Sequence, residues 1–299
     1  MELFYDERFH LKLPEGHRFP IEKYPLIKQQ LLYEGSFTES DFAMPKMASE
    51  QQLARVHEME YIEKLNTGTL SKSEIRRMGF PYSTALVERE KLIAGATIDA
   101  TYSAINKGIA FNLTGGTHHA YPDHGEGFCI FNDIAVAASD YIHHNPAHKV
   151  LIIDLDVHQG NGTAHIFANE SRVFTFSVHG EKNYPLHKEN SDRDIALPEN
   201  TTDTQYLDIV NKQVTELVDF LKPDFVYYLA GVDIFENDKL GRLNITLPAI
   251  KQRDTIVFEI LQKRKIPVAV SMGGGYAHRL RDIVEAHCNT YRVAKSLYN

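Results

Sequence analysis

Residues 150–162 read VLIIDLDVHQGNG. Residues 150–153 are apolar without interruption, which is typical of a strand buried on both faces of a parallel sheet. Asp154, Asp156 and His158 follow at alternate positions, so their side chains share one face if the strand stays regular. Carboxylates buried at the end of an apolar strand are unfavourable unless they are paired or bound to a metal ion. The stretch therefore predicts a parallel sheet with a cation at the end of one strand.

Short apolar runs and helix-length segments alternate along the whole chain. Strands are predicted over residues 3–5, 109–113, 150–155, 173–178, 225–230 and 267–271. Helices are predicted over residues 86–106, 134–144, 203–222 and 247–265. This pattern indicates a single α/β domain over residues 1–299, an open parallel sheet with helices on both faces. Residues 66–85 interrupt the alternation and are polar, and we expect them to form a long surface loop.

The composition is that of a globular protein. The 299 residues are 43% apolar and 24% charged, and the two cysteines, Cys129 and Cys288, lie far apart. We therefore expect no disulfide framework and a reducing, cytoplasmic location. No window approaches the roughly 20 apolar residues of a membrane span. The net charge of −8 argues against direct binding of nucleic acid and is compatible with a cationic substrate. Nothing in the sequence indicates the oligomeric state.

Three further strand ends carry residues that are capable of chemistry. His118 and His119 follow paired glycines, although adjacent histidines also occur at surfaces and in cores. Asp233 follows another apolar run, where an aspartate also serves as a helix N-cap. Tyr276 follows three glycines that allow close backbone approach, and its hydroxyl is a donor for a developing oxyanion. Phe128, between Gly127 and Cys129, suits a core position or a pocket wall equally well.

In parallel sheets ligands bind beyond the carboxyl ends of the strands, so these groups are expected to meet at one edge. Asp156, His158 and Asp233 then supply three metal ligands and leave a coordination position open. The two histidines supply proton transfer, and Tyr276 supplies a hydrogen bond to negative charge. Together these are the components of metal-assisted amide hydrolysis.

Five motifs in this order resemble the zinc-dependent histone deacetylase family: GGTHHA, GFCIFND, DLDVHQGNG, AGVD and GGGY, between residues 115 and 276. The resemblance implies the arginase/deacetylase fold. HQGNG at 158–162 and GVDIFENDKLG at 231–241 resemble the class IV branch, and a prokaryotic member is compatible with the short chain.

The resemblance also implies roles for individual residues. Zn²⁺, or Fe²⁺ in its place, would be bound by Asp156, His158 and Asp233. His118 and His119 would be the catalytic histidines, supported by Asp154 and Asn161, and Tyr276 would polarise the acyl carbonyl. The substrate tunnel would be formed by Phe128, Tyr184, Leu240, Gly127, Gly274 and Gly275. A structural K⁺ would use Asp154, Asp156, His158, Ser177 and Val178.

The implied activity is removal of acetyl or longer fatty acyl groups from lysine side chains of proteins or peptides. Three alternatives stay open at this point: a deacetylase of small amines such as acetylpolyamines, a non-catalytic module that binds acyl-lysine, and a binuclear manganese hydrolase of arginase type. The last would require more carboxylates than the motifs supply.

Asn161 departs from the class I pattern, in which an aspartate supports the second histidine. Because an amide does not stabilise an imidazolium as a carboxylate does, we expect His119 to stay neutral and to act as the base. His118 would retain a carboxylate partner in Asp154.

Overall fold

The structure is a computed structural model, and it describes residues 1–298. Eight strands form one parallel sheet in the order β2-β1-β3-β8-β7-β4-β5-β6. Their bounds are β1 Glu2–Phe4, β2 Phe42–Ala43, β3 Ile109–Asn112, β4 Val150–Asp154, β5 Val173–Gly180, β6 Arg193–Leu197, β7 Phe225–Leu229 and β8 Val268–Ser271. The expected fold class, an open parallel sheet with helices, is confirmed.

Ten α-helices connect and flank the strands. Their bounds are α1 Lys23–Tyr33, α2 Glu50–Leu53, α3 Met59–Thr67, α4 Lys72–Met78, α5 Thr84–Lys107, α6 Asp133–His144, α7 Asn161–Phe167, α8 Asp203–Leu221, α9 Leu247–Lys263 and α10 Leu280–Tyr298. No helix within residues 1–298 is long and apolar enough to cross a bilayer.

Two neighbouring tyrosines of β7 show that helices cover both faces of the sheet. The Tyr227 hydroxyl lies 3.0 Å from Thr101 Oγ1 of α5, whereas the Tyr228 hydroxyl donates to Asp254 Oδ1 of α9 at 2.5 Å. Successive strand residues point to opposite faces, so α5 and α9 lie on opposite sides. Burial is complete for every residue of β3, β4, β7 and β8, which accounts for their uninterrupted apolar runs.

The prediction of a long surface loop over residues 66–85 is wrong, because this segment contains α4. Ser71 caps the helix by accepting from the Glu74 backbone N–H at 3.3 Å, and Gly79 ends it in the left-handed conformation. Met78 and Phe80 are buried rather than exposed. The segment is thus an ordered wall of the molecule, and its apolar residues are too widely spaced to have stood out among the polar ones.

Candidate active site

The strand order brings four chemically equipped strand ends together. β3, β8, β7 and β4 are consecutive in the sheet and parallel, so their carboxyl ends form one edge. The segments that follow them carry, respectively, the histidine pair, Tyr276, Asp233 and the Asp154–His158 turn. All of these side chains are buried.

Asp156, His158 and Asp233 converge as a metal-binding trio. His158 Nδ1 lies 3.0 Å from Asp156 Oδ1 and 3.1 Å from Asp233 Oδ2. Among the described residues, they form a group whose ligand atoms all lie within 4.8 Å of one another. A tetrahedral ion with bonds of about 2.0–2.1 Å needs ligand atoms about 3.3–3.4 Å apart, so small adjustments suffice. The donor set, two carboxylates and one imidazole, fits a divalent cation such as zinc.

Backbone donors hold the second oxygen of each carboxylate. Asp156 Oδ2 accepts from the Gly274 N–H at 2.7 Å, and Asp233 Oδ1 accepts from the Val157 N–H at 2.9 Å. A Cβ at Gly274 would overlap Asp233 Oδ2, and one at Gly231 would overlap Asp156 Oδ2. Glycine is therefore required at both positions by space, and the surrounding hydrogen bonds fix the orientation of the ligands.

The charge of the trio is unbalanced without a cation. Burial and the neighbouring Asp156 raise the pKa of Asp233 to about 7. Burial acts to lower the pKa of His158, but its hydrogen bonds to Asp156 and Asp233 raise it to about 10. The site thus retains protons that a bound metal would displace, since metal ligands must be deprotonated.

The two histidines have partners of different charge. His118 Nδ1 lies 2.7 Å from Asp154 Oδ2, and His119 Nδ1 donates to the Asn161 amide oxygen at 2.6 Å. Burial acts against the charge of His118, but attraction by Asp154 and Asp156 raises its pKa. For His119, burial and the nearby His118 lower the pKa well below its usual range. The lowered pKa favours the neutral form of His119, and the hydrogen bond to the amide oxygen places its proton on Nδ1 and leaves the lone pair on Nε2.

Asn161 is itself held by groups behind it. Its Nδ2 donates to Glu126 Oε1 at 3.0 Å and to the Tyr121 hydroxyl at 3.2 Å. Burial acts to raise the pKa of Glu126, but hydrogen bonds from His124, Tyr184 and Asn161 lower it to about 2. This acceptor fixes the amide so that its oxygen faces His119.

Two cavities meet at these groups. An outer cavity of about 330 Å³ opens to solvent and contains most of the expected tunnel wall; it is lined by Gly127, Phe128, Tyr184, Leu240, His119, His158 and Tyr276, together with Arg18, Arg76, Arg77 and Gly79. An inner cavity of about 40 Å³ lies beyond His118 and His119 and includes Gly274. Gly275 lines neither cavity, because it packs against Val232, Ile283 and His287.

The residues expected to bind K⁺ lie on the adjacent strands β4 and β5 and in the turn that follows β4. Asp154 of β4 pairs in register with Ser177 of β5, and Val178 follows. The Asp154 carboxylate also accepts from the Asp156 backbone N–H at 3.1 Å, while Ser177 Oγ lies 2.9 Å from His179 Nδ1. Potassium binding here stays a prediction.

Three supporting residues were not anticipated from the sequence. Lys23 is fully buried and donates to the Gly273 carbonyl at 3.1 Å. Asp238 accepts from the Tyr276 backbone N–H at 2.6 Å. Arg253, also fully buried, donates to the Gly231 carbonyl at 2.5 Å. Single charged residues on helices and loops usually indicate exposed surface, and nothing local to these positions contradicts that interpretation.

Known proteins are similar to this chain in both sequence and fold. The family model described as histone deacetylase domain matches residues 17–291. An uncharacterised protein of Picosynechococcus sp. is 41% identical over 96% of this chain and 95% of its own length. Histone deacetylase 2 of Arabidopsis thaliana is 30% identical over 91% of this chain and 72% of its own. The crystal structure of an HDAC homolog complexed with SAHA superimposes with a TM-score of 0.81 at 23% identity, covering 99% of this chain and 83% of that one. From its matched domain and its relatives, the chain belongs to the histone deacetylase family of hydrolases.

Proposed function

We propose that this protein hydrolyses the amide of acyl-lysine side chains, with a divalent cation, zinc by its donor set, bound by Asp156, His158 and Asp233. The observation that carries the proposal is the convergence of these three ligands beside the cavities, since His158 lines both cavities and Asp156 lines the inner one. A cation there would act as a Lewis acid toward the acyl carbonyl and lower the pKa of an attacking water. A narrow outer cavity suits an extended side chain, with the acyl group reaching the trio.

His119 is the proposed general base. Its lone pair on Nε2 is free because Nδ1 donates to Asn161. Of the two histidines, His119 lines both cavities whereas His118 lines only the inner one. His119 is therefore placed to take a proton from water and to return it to the amine that leaves through the outer cavity. His118, with Asp154, would contribute positive charge beside the developing oxyanion.

Tyr276 is the proposed oxyanion donor. Its backbone N–H is fixed by Asp238, and its ring lines both cavities. Burial and the neighbouring Asp233 and Asp156 raise the pKa of its hydroxyl well above the usual range, so the hydroxyl stays protonated. A protonated donor at this position stabilises negative charge on the carbonyl oxygen as it forms.

The small volume of the inner cavity favours substrates with short acyl groups over substrates with fatty acyl chains. About 40 Å³ accommodates roughly three water-sized groups. The amine of a protein substrate must stay on the solvent side, so the acyl end is the part that enters this space. The expected order of activity is therefore acetyl above longer chains, and a panel of peptides with increasing acyl length tests it.

The residues that line the cavities and the single metal-ligating cluster within residues 1–298 give the alternative functions less support. No carboxylate lines the outer cavity, so nothing there matches the cationic tail of an acetylpolyamine. A second metal would need a second cluster, and the described residues contain one group of metal-ligating type. A non-catalytic module would not need a neutral His119 beside a protonated tyrosine.

Activity on an acetyl-lysine peptide, before and after metal removal, tests the proposal. We expect activity to disappear with a chelator, to return with Zn²⁺ or Fe²⁺, and to be absent in Asp233→Asn. Asp208→Asn removes an exposed carboxylate on α8 and is the matched control. Full activity of metal-free protein, confirmed by metal analysis, would overturn the proposal.

A further inference from the structure

Three arginines line the mouth of the outer cavity although the chain as a whole is acidic. Arg18, Arg76 and Arg77 border the same cavity as Tyr184, Leu240 and the catalytic groups. All three are exposed, in a protein whose net charge is −8. The local charge at the entrance is therefore opposite to that of the whole molecule.

Neighbouring carboxylates do not neutralise these guanidinium groups. Glu74, on the same helix, lies 3.7 Å from the Lys64 ammonium and accepts from the Ser71 N–H at 2.7 Å. Glu126 is engaged with Asn161 and His124. Within residues 1–298 no ion pair involves Arg18, Arg76 or Arg77, and the cavity lining contains no acidic residue at the mouth.

The end of α4 that carries Arg76 and Arg77 is attached to the tunnel wall through its backbone. The carbonyl of Arg77 accepts from the Gly127 N–H at 3.2 Å, and that of Met78 accepts from the Phe128 N–H at 3.0 Å. The Arg18 guanidinium lies 5.9 Å from the centre of the Phe128 ring. A backbone held at a fixed position beside the opening presents its side-chain charge to a ligand at a lower entropic cost than a free loop would.

We propose that the mouth selects acyl-lysine peptides that carry acidic side chains beside the modified lysine. This inference rests on the proposed function and specifies its substrate class. The position of the arginines places the anion on the peptide rather than on the acyl group, because the acyl group enters the inner cavity beyond His119. Guanidinium groups bind carboxylates by paired hydrogen bonds, which favours glutamate and aspartate as neighbours.

Helix electrostatics offer a simpler role for two of these residues. Arg76 and Arg77 lie in the last turn of α4, where positive charge stabilises a helix. That role predicts a change in stability and no dependence on substrate charge. Arg18 lies outside any helix, so helix electrostatics do not explain it.

Three acetyl-lysine peptides of equal length, with Glu, Gln or Lys on both sides of the modified residue, test the proposal in the intact metal-loaded protein. We expect kcat/KM to fall in the order Glu, Gln, Lys. The Glu peptide should exceed the Gln peptide by about three- to tenfold at low ionic strength, and salt should reduce this ratio. Equal rates, or a preference for the Lys peptide, would overturn the inference.

Substitution of the arginines tests whether they cause the preference for acidic peptides. In Arg76→Gln/Arg77→Gln the ratio of Glu to Gln peptide should approach one, and Arg18→Gln should lower it partly. Lys72→Gln, an exposed cation at the start of the same helix, is the matched control and should keep the ratio. An equal loss in Lys72→Gln would assign the effect to net charge and reject the proposed site.

Two further results separate the possible failures. Hydrolysis of the Gln peptide tests the proposed function alone. If the Gln peptide is not hydrolysed, the proposed function itself is refuted. If all three peptides are hydrolysed at equal rates, only the inference about acidic neighbours is refuted. A Gln peptide carrying succinyl-lysine tests the other location of the carboxylate. Faster hydrolysis of that peptide than of its acetyl counterpart, lost in the double arginine variant, would place the anion on the acyl group and refute our assignment.

Discussion

The hydrogen bond between His119 and Asn161 gives a quantitative test of which histidine is the base. Asn161→Asp places a carboxylate where His119 Nδ1 now meets a neutral amide oxygen at 2.6 Å. An opposite charge this close raises a histidine pKa by about 1–3, which corresponds to roughly 1.4–4 kcal/mol. Because the base acts as a neutral imidazole, a carboxylate that stays charged at position 161 should move the acid limb of the kcat/KM profile to higher pH by the same amount.

The single substitution alone is not expected to produce this displacement of the acid limb. Asn161 Nδ2 donates to Glu126 Oε1 at 3.0 Å, so Asn161→Asp would place two buried carboxylates in contact. One of them must take up a proton, so the pair keeps the single negative charge that Glu126 carries now, and His119 gains little additional stabilisation. The lost donor to Glu126 should also lower the free energy of unfolding by about 1–3 kcal/mol.

Asn161→Asp/Glu126→Gln removes this conflict. The glutamine amide donates to the new carboxylate, which then stays charged toward His119. We expect the acid limb to move upward by the full amount, about 1–3 pH units, in the double variant, by less than about one pH unit in Asn161→Asp, and hardly at all in Glu126→Gln alone. Rates at low pH should fall about tenfold for every pH unit by which the acid limb moves.

The assay is steady-state hydrolysis of an acetyl-lysine peptide from the lowest pH at which the protein stays folded up to about pH 9, because the lowered pKa of His119 moves its acid limb below the range in which a free imidazole titrates. Circular dichroism and metal content establish that each variant is folded and loaded. A folded, loaded double variant whose acid limb coincides with that of the unmodified protein would refute the assignment of His119 as the base.

Three other substitutions test separate parts of the site. Tyr276→Phe should reduce kcat by about 10²–10³-fold with little change in KM, because the hydroxyl acts on charge that develops during the reaction; an unchanged kcat would remove it from the mechanism. Gly274→Ala should weaken metal affinity by about 10–100-fold, because the added Cβ would displace the Asp233 carboxylate. Competition with a chromophoric chelator measures this affinity, and an undiminished value would contradict the packing around Gly274. Burial lowers the pKa of Lys23 from 10.5 to about 8, so between these values the unfolded chain binds a proton that the folded chain does not. The free energy of unfolding should therefore rise with pH across this window by up to about 3 kcal/mol in chemical denaturation, and Lys23→Met should abolish that rise.

The sequence predicted the central strands because their burial on both faces leaves an uninterrupted apolar run. The two edge strands lack that signal. β2 has two residues, and β6 alternates the partly buried Arg193 and Ile195 with the exposed Asp194 and Ala196, so neither was expected. The carboxyl-terminal helix α10 was also missed, although its buried positions recur along one face.

The metal trio and the histidine pair could be located because each follows a strand directly, so chain position determines spatial position. Lys23 and the mouth arginines could not be located from the sequence, because they lie on segments that are distant in sequence from the strand ends. Arg76 and Arg77 reach the tunnel through α4, which packs on the Gly127–Phe128 wall. That contact depends on tertiary packing and leaves no local pattern.

Under the proposed function, the attachment of α4 to the tunnel wall would place recognition and chemistry on different segments of one chain. The proposed reacting groups come from the sheet edge, whereas α4 belongs to an earlier segment whose Arg77 and Met78 carbonyls accept from Gly127 and Phe128 of the tunnel wall. Substitutions on the outer surface of this helix can redirect the enzyme to new targets while the reacting groups stay untouched. Divergence of target choice within such a lineage is therefore expected to concentrate in this short stretch.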